Sequence, residues 1–327
     1  GSLDRSTVLV IGDHGEDFQL HGEPTHSVTC YDTTLRVPFL IRRPGAAGAG
    51  QRIRAPVSVA DAAPTIASAL GLAPGVGLDG IDLLAAPPDR RGVYFESYVG
   101  YLNYGWSPVS GWLDAEGKYL HSAVPEFFQP LRDADEREDR IADTPAARLE
   151  PYREALRLLA AAPALAGVPL GALAAQDEAE LRELGYAGVG DPEAELPPPG
   201  VAPAGLPSPH RRTEELRAFY EAARIGGQGA HAEAIPRLEA IVAGNPRNLY
   251  ARELLGLFLY REGRPADAEA ALLPLVEAGH QRPTVLDVLG HCAEELGRRS
   301  AARAWFERAA AARPGDAHLA EDLERSR

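Results

Sequence analysis

The strongest constraint on this chain of 327 residues is a period of 34 running through its last third. Gly229, Gly263 and Gly297 recur at that spacing, as do Ala234, Ala268 and Ala302, and Leu238, Leu272 and Phe306. Pro246 and Pro314 stand two periods apart with His280 between them, and Gly256 and Gly290 share a column with Ala222. Columns that keep register over three repeats are not a chance pattern. Each repeat reads as a pair of helices in which small residues permit close approach and a glycine punctuates the turn. Such a unit cannot cover its own apolar face, so residues 213–316 are expected to stack as a one-dimensional array of three repeats. Residues 317–327, polar outside a few apolar positions, are expected to close the stack as a capping helix.

This period, with an early Leu-Gly, a glycine at the turn, small alanines and a closing proline, resembles the tetratricopeptide (TPR) repeat. The resemblance implies an all-α solenoid that can serve as a protein-interaction module, with a protein or peptide as partner. Tyr220, Arg224, Arg252, Tyr260 and His291 lie at first-helix positions and are candidates for a concave groove. An ordinary solvated helix face is the simpler expectation for them.

Upstream the pattern changes. Residues 1–125 alternate short apolar runs with Gly, Pro and Asp. Residues 7–11 and 37–41 are continuous and rich in β-branched side chains, which predicts strands buried on both faces of a mostly parallel sheet. Residues 61–70 have helical spacing, with Pro64 near the start and Gly71 as the stop. Residues 93–96 and 117–120 are further strand candidates, so the region reads as α/β. Residues 126–212 read as a connector: a charge run at 133–143, helices at 146–160 and 177–184, and a Pro/Gly/Ala-rich linker at 191–209.

Charge narrows the function classes. Acidic residues outnumber basic ones 47 to 33, giving a net charge of −14, which argues against nucleic acid or an anionic membrane surface as partner. No run approaches the roughly 18 apolar residues of a spanning helix. Two cysteines, Cys30 and Cys292, make no disulfide framework. A single lysine, Lys118, amid abundant Ala, Gly and Pro suggests a GC-rich bacterial genome.

The sharpest chemical signal is Gly12-Asp13-His14-Gly15-Glu16, directly after the first strand. Ligands gather at the carboxyl ends of strands in open α/β sheets. An anionic oxygen and an imidazole at such a point suit a hard divalent cation together with a phosphate- or sulfate-like oxyanion. An ordinary turn with a capping Asp is the alternative. The segment continues Phe18-Gln19-Leu20-His21-Gly22-Glu23-Pro24-Thr25-His26, then Tyr31-Asp32 and Leu35-Arg36-Val37-Pro38, then Pro44-Gly45. It runs on through Ala60-Asp61-Ala62-Ala63-Pro64-Thr65 and Leu78-Asp79-Gly80-Ile81-Asp82-Leu83.

In combination these motifs resemble the sulfatase family of the alkaline-phosphatase superfamily, specifically its C-terminal part. Pro125-Glu126-Phe127-Phe128, Gly185-Tyr186 and Asp191-Pro192 extend the likeness. The resemblance implies a metal-dependent hydrolase of sulfate esters, with Ca2+ as the expected ion. Asp13 would be a metal ligand by its carboxylate, His14 would lie beside metal and oxyanion, and His26 would contact the sulfate. His21 is more simply a packed histidine. Arg36 is expected to be structural and to pair with Asp32, and Asn103-Tyr104-Gly105-Trp106 is either a substrate-contacting patch or a surface loop. Relatives of this kind are often exported, which favours a periplasmic or extracytoplasmic parent over a cytoplasmic one.

The family's nucleophile lies in Cys/Ser-x-Pro-x-Arg, and no such stretch occurs in these residues: Cys30 is followed by Tyr31-Asp32-Thr33-Thr34, and Cys292 sits in a repeat helix. The family's paired Asp ligands on a leading strand are also missing. One Asp and one His fall short of the six to eight oxygens calcium takes. The expectation is therefore a truncated chain, inactive alone, whose parent is a sulfatase. Two other readings stand beside it: a TPR scaffold carrying a degenerate hydrolase half, and a phosphonate or phosphodiester hydrolase of the same superfamily.

Overall fold

A computed structural model describes residues 2–73, 78–85, 91–162 and 196–326. The expected helix at 177–184 and the motifs Gly185-Tyr186 and Asp191-Pro192 lie outside the described residues. An α/β region is followed by an all-α solenoid, as the sequence predicts.

The sheets differ from expectation in one respect: every described pairing is antiparallel, so the mostly parallel sheet is not found. Strand β1 (Val8–Ile11) pairs with β2 (Phe39–Arg42), placing Val10 opposite Leu40. A second sheet is a meander of β3 (Val93–Ser97), β4 (Val109–Leu113), β5 (Lys118–His121) and β6 (Glu126–Phe128), in that order. For the meander the reason lies in the connections: residues 114–117 and 122–125 link successive strands, and a parallel pair needs a crossover of a dozen residues or more. The β1–β2 connection is long enough for either direction, and nothing in its length explains the antiparallel pairing. Nor are β1 and β2 buried on both faces, since Val10 is 53% and Leu40 60% exposed.

Helix α1 (Asp32–Leu35) precedes β2. Helix α2 (Ala62–Ala69) fulfils the prediction for residues 61–70. Ser58 and Asp61 cap the turn leading into it, and Gly71 beyond its end adopts φ +67°. A short helix, α3 (Val99–Tyr104), and strands β4 and β6 are elements that the sequence reading missed. Helix α4 (Ala146–Ala160) covers the meander, with Leu149, Tyr152 and Leu156 packed against Tyr119 and Phe127.

Three helical hairpins follow: α5 (Thr213–Gly227) with α6 (His231–Gly244), α7 (Leu249–Arg261) with α8 (Pro265–Glu277), and α9 (Pro283–Glu295) with α10 (Arg299–Ala312). A last helix, α11 (Ala317–Arg325), buries Leu319 against Leu286 and Ala309 of the third hairpin. The periodic columns are the core. Ala234, Ala268 and Ala302, and Leu238, Leu272 and Phe306, are all buried. A Cβ on Gly256 would stand 2.4 Å from the Leu272 side chain, and one on Gly290 2.5 Å from that of Phe306. That column needs small residues for space. Gly229, Gly263 and Gly297 have open space around them and φ of +87°, +69° and +74°, so there it is the left-handed turn that calls for glycine.

The two regions share a core. Val28, Tyr104 and Trp106 bury themselves with Leu216, Phe219 and Ala222 of α5. Tyr104 stacks on Trp106 at 4.7 Å and meets Phe219 and Tyr250 edge-on. Asn245 Nδ2 donates to the Tyr104 carbonyl at 2.8 Å. The Asn103–Trp106 stretch is therefore neither a substrate patch nor a surface loop. It is the joint between sheet and repeats, a long-range contact that local sequence does not reveal.

Candidate functional site

The loop carrying the candidate residues leaves β1 and returns through α1 to β2. Two buried acids hold its shape. Asp17 accepts from the backbone N–H of His21 and Glu23, at 3.0 and 3.1 Å, and from Thr33 Oγ1 at 2.7 Å. Glu23 accepts from the backbone N–H of Val28 and Thr29, both at 2.8 Å, and from the Thr29 hydroxyl. Burial pushes the Glu23 carboxyl above its ordinary range. Gly15 is required by close packing: a Cβ there would fall 2.1 Å from the Thr33 carbonyl oxygen. Its glycine thus serves an approach to the chain's own backbone. Ser27 has φ +92°, a strained value for a residue with a side chain, and its carbonyl accepts from Ser97 Oγ.

On this frame Asp13, His14 and His26 come together. His14 stacks on His26 with ring centroids 3.8 Å apart. His26 Nδ1 lies 3.2 Å from Glu16 Oε2. The His14 backbone N–H donates to Asp13 Oδ1 at 3.0 Å and, as the largest influence, holds that carboxyl below its usual range. Asp13 is 82% exposed and His26 only 10%. The turn thus presents a solvent-facing carboxylate beside two stacked imidazoles backed by Glu16. Among the described residues, Asp13 and His14 do not converge with a third ligand side chain on one point. These residues do not complete a calcium site, which takes six to eight oxygens.

His21 is a packed histidine, stacked on Tyr31 at 3.8 Å, and burial lowers its pKa. Asp32 does not await Arg36. Its Oδ1 is 2.9 Å from Lys118 Nζ, and Lys118, fully buried, also reaches Glu136 Oε1 at 2.8 Å. Glu136 belongs to the charge run of the connector, yet it is 2% exposed. That the only lysine of the chain falls on a strand was the available clue.

A cavity of about 440 Å³ is lined by His21, Tyr31, Glu126, Phe128, Glu136 and His210 among others. It includes none of Asp13, His14 and His26. Tyr31 Oη donates to Glu126 at 3.1 Å, and His210 Nε2 lies 3.0 Å from Glu126 Oε2. Burial drives both partners toward their neutral forms, lifting Glu126 to about 7 and lowering His210 to about 4. No local pattern announces this pairing, because Glu126 and His210 lie at opposite ends of the connector.

Comparison with known proteins agrees with the two-part reading. The sulfatase family model matches residues 1–72, and the tetratricopeptide repeat model matches residues 227–291. The chain is similar to the regulatory protein AfsR of Streptomyces coelicolor, 40% identical over 79 residues, covering 22% of this chain and 8% of that protein. Solved structures similar to it include the first TPR of Spaghetti (RPAP3) bound to an HSP90 peptide and the first TPR domain of human RPAP3. Both are 18% identical; they cover 34% of this chain and 89% and 88% of theirs, with TM-scores of 0.33 and 0.32. No helix among the described residues is long and apolar enough to cross a membrane. A sulfatase-family segment at residues 1–72 and a tetratricopeptide array, matched at residues 227–291, are thus joined in one chain.

Proposed function

We propose that the chain is part of a metal-dependent sulfate-ester hydrolase carrying a TPR protein-interaction module. The observation that carries this reading is the meeting of Asp13, His14 and His26 at the end of β1, inside the segment matched by the sulfatase family model. Asp13 would contribute its carboxylate to a divalent cation, with Ca2+ the ion expected. A bound cation would supply charge to stabilise the ester oxygens as the S–O bond breaks. His14 orients the Asp13 carboxylate through its backbone N–H, and His26, fixed by Glu16, offers an imidazole to a sulfate oxygen. The repeats would dock a protein or peptide, and the shared core at Tyr104 and Trp106 would hold that partner in a fixed relation to the site.

These residues contain no Cys/Ser-x-Pro-x-Arg stretch, so the chain by itself should be inactive. The incomplete ligand set also supports a second reading, a TPR scaffold with a degenerate hydrolase half. A fluorogenic aryl sulfate, assayed with the protein encoded by the whole reading frame and with this chain alone, separates the two. Chelator-sensitive turnover by the former and none by the latter supports the hydrolase. No turnover by either leaves the scaffold.

A further inference from the structure

At the far end of the repeats, two helices present matching pairs of ligands. Asp287 and His291 are four residues apart on α9, and His318 and Asp322 four apart on the capping helix α11, so each pair shares one helix face. The two faces meet. His291 Nε2 lies 3.8 Å from Asp287 Oδ2 and 3.4 Å from Asp322 Oδ2. His318 Nε2 lies 3.9 Å from Asp287 Oδ2 and 3.5 Å from Asp322 Oδ2. All four ligand atoms fall within 4.8 Å of one another. Zinc bonds of about 2.0–2.2 Å in tetrahedral geometry place ligand atoms roughly 3.4 Å apart.

A second observation points inward. Asp322 is 1% exposed, yet its Oδ2, the atom facing both imidazoles, has no hydrogen bond. Buried carboxylate oxygens are costly unless hydrogen-bonded, paired or metal-bound. The other oxygen of Asp322 is held 2.7 Å from Arg325 Nη2, which fixes the orientation of the carboxylate. The His291 ring is seated against Tyr260 and edge-on to Phe306, with Glu294 3.8 Å from its Nδ1. Two carboxylates balance a divalent charge, and two imidazoles with two oxygens favour zinc over magnesium or calcium.

We propose that Asp287, His291, His318 and Asp322 form a structural Zn2+ site that clamps the capping helix onto the last repeat. The inference does not rest on the hydrolase reading, because the site lies in the repeat array. The test is titration of the metal-stripped full chain with Zn2+, read by competition with a chromophoric chelator and by thermal melting, with Co2+ replacing Zn2+ for its visible absorption. We expect one tight equivalent, a tetrahedral Co2+ spectrum, and a rise in Tm of about 5 °C. His318 is 69% exposed on its side chain, so His318→Ala should still fold, and its own metal-free Tm is the baseline for the zinc-dependent rise. It should bind Zn2+ about 100-fold more weakly and lose the Tm rise. Asp322→Asn checks the buried oxygen by the same readouts. Absence of tight binding, or Zn2+ binding by His318→Ala equal to that of the parent chain, overturns the site; the latter would mark an adventitious ion on other histidines.

Discussion

The repeat array and the sheet region are built on different physical bases. In the array, each buried column is repeated every 34 residues, and neighbouring hairpins supply the contacts. Its stability is a sum of short-range packing terms. The sheet region has no such redundancy. Its two-stranded ladder leaves Val10 and Leu40 exposed, and its loops are shaped by single buried charges: Asp17, Glu23, Asp61 and the Lys118 trio. The region that carries the candidate chemistry has its loops shaped by individual buried polar contacts. The region that carries the candidate interaction surface is fixed by generic apolar ones.

That contrast can be broken most severely at Lys118. Replacing it with Met leaves Asp32 and Glu136 facing each other without a cation, one of them wholly buried. Lys118→Met should lose about 3–5 kcal/mol in urea unfolding. A loss below 1 kcal/mol would mean that the trio contributes little to this half of the molecule.

In the array the corresponding test is steric. Gly290→Ala gains helix propensity of about 1 kcal/mol but forces a methyl to 2.5 Å from the Phe306 ring. A net destabilisation of about 1–3 kcal/mol is expected. Phe306→Leu should absorb part of it in a double-mutant cycle, with a coupling of at least about 0.5 kcal/mol. Strict additivity would contradict the packing described for this column.

The smallest effect concerns pH. Glu126 has its pKa raised by burial from 4.5 to about 7, so its stabilising contribution is present below pH 4.5 and is lost as pH rises through 7. His210 acts in the opposite sense: lowered from 6.5 to about 4, it contributes above pH 6.5 and loses that contribution as pH falls through 4. Between pH 6 and 8 the Glu126 effect dominates this pair and amounts to about 1.4 kcal/mol. Glu126→Gln should therefore flatten the fall in stability over that interval. An unchanged slope would show that Glu126 titrates normally.

The array was legible in the sequence because its contacts are periodic: Ala268 and Leu272 announce their burial by recurring. Helix 62–69 was legible through Pro64 and Gly71, and the Asp13–His14 turn through its place after a strand. What escaped depended on partners far away in the chain. Tyr104 and Trp106 pack on residues more than a hundred positions later, Lys118 finds acids 86 and 18 residues away, and His210 meets Glu126 across the connector. Strand direction failed for a related reason. Apolar runs reveal strands but not their direction, and the short connections that dictate the meander become visible only with β4 and β6, which the local pattern does not reveal. His291, a groove candidate for which a solvated helix face was the simpler expectation, turns its ring toward Asp287 and Asp322.

The central functional claim is that Asp13 belongs to a metal–oxyanion site. Its most direct test is aryl sulfate hydrolysis by the protein of the whole reading frame, comparing Asp13→Asn with the unmodified protein at saturating Ca2+ and after chelation. Loss of kcat/KM by about 100-fold or more in the variant, matched by chelation of the unmodified protein, is the predicted result. Turnover that survives both Asp13→Asn and chelation would contradict it.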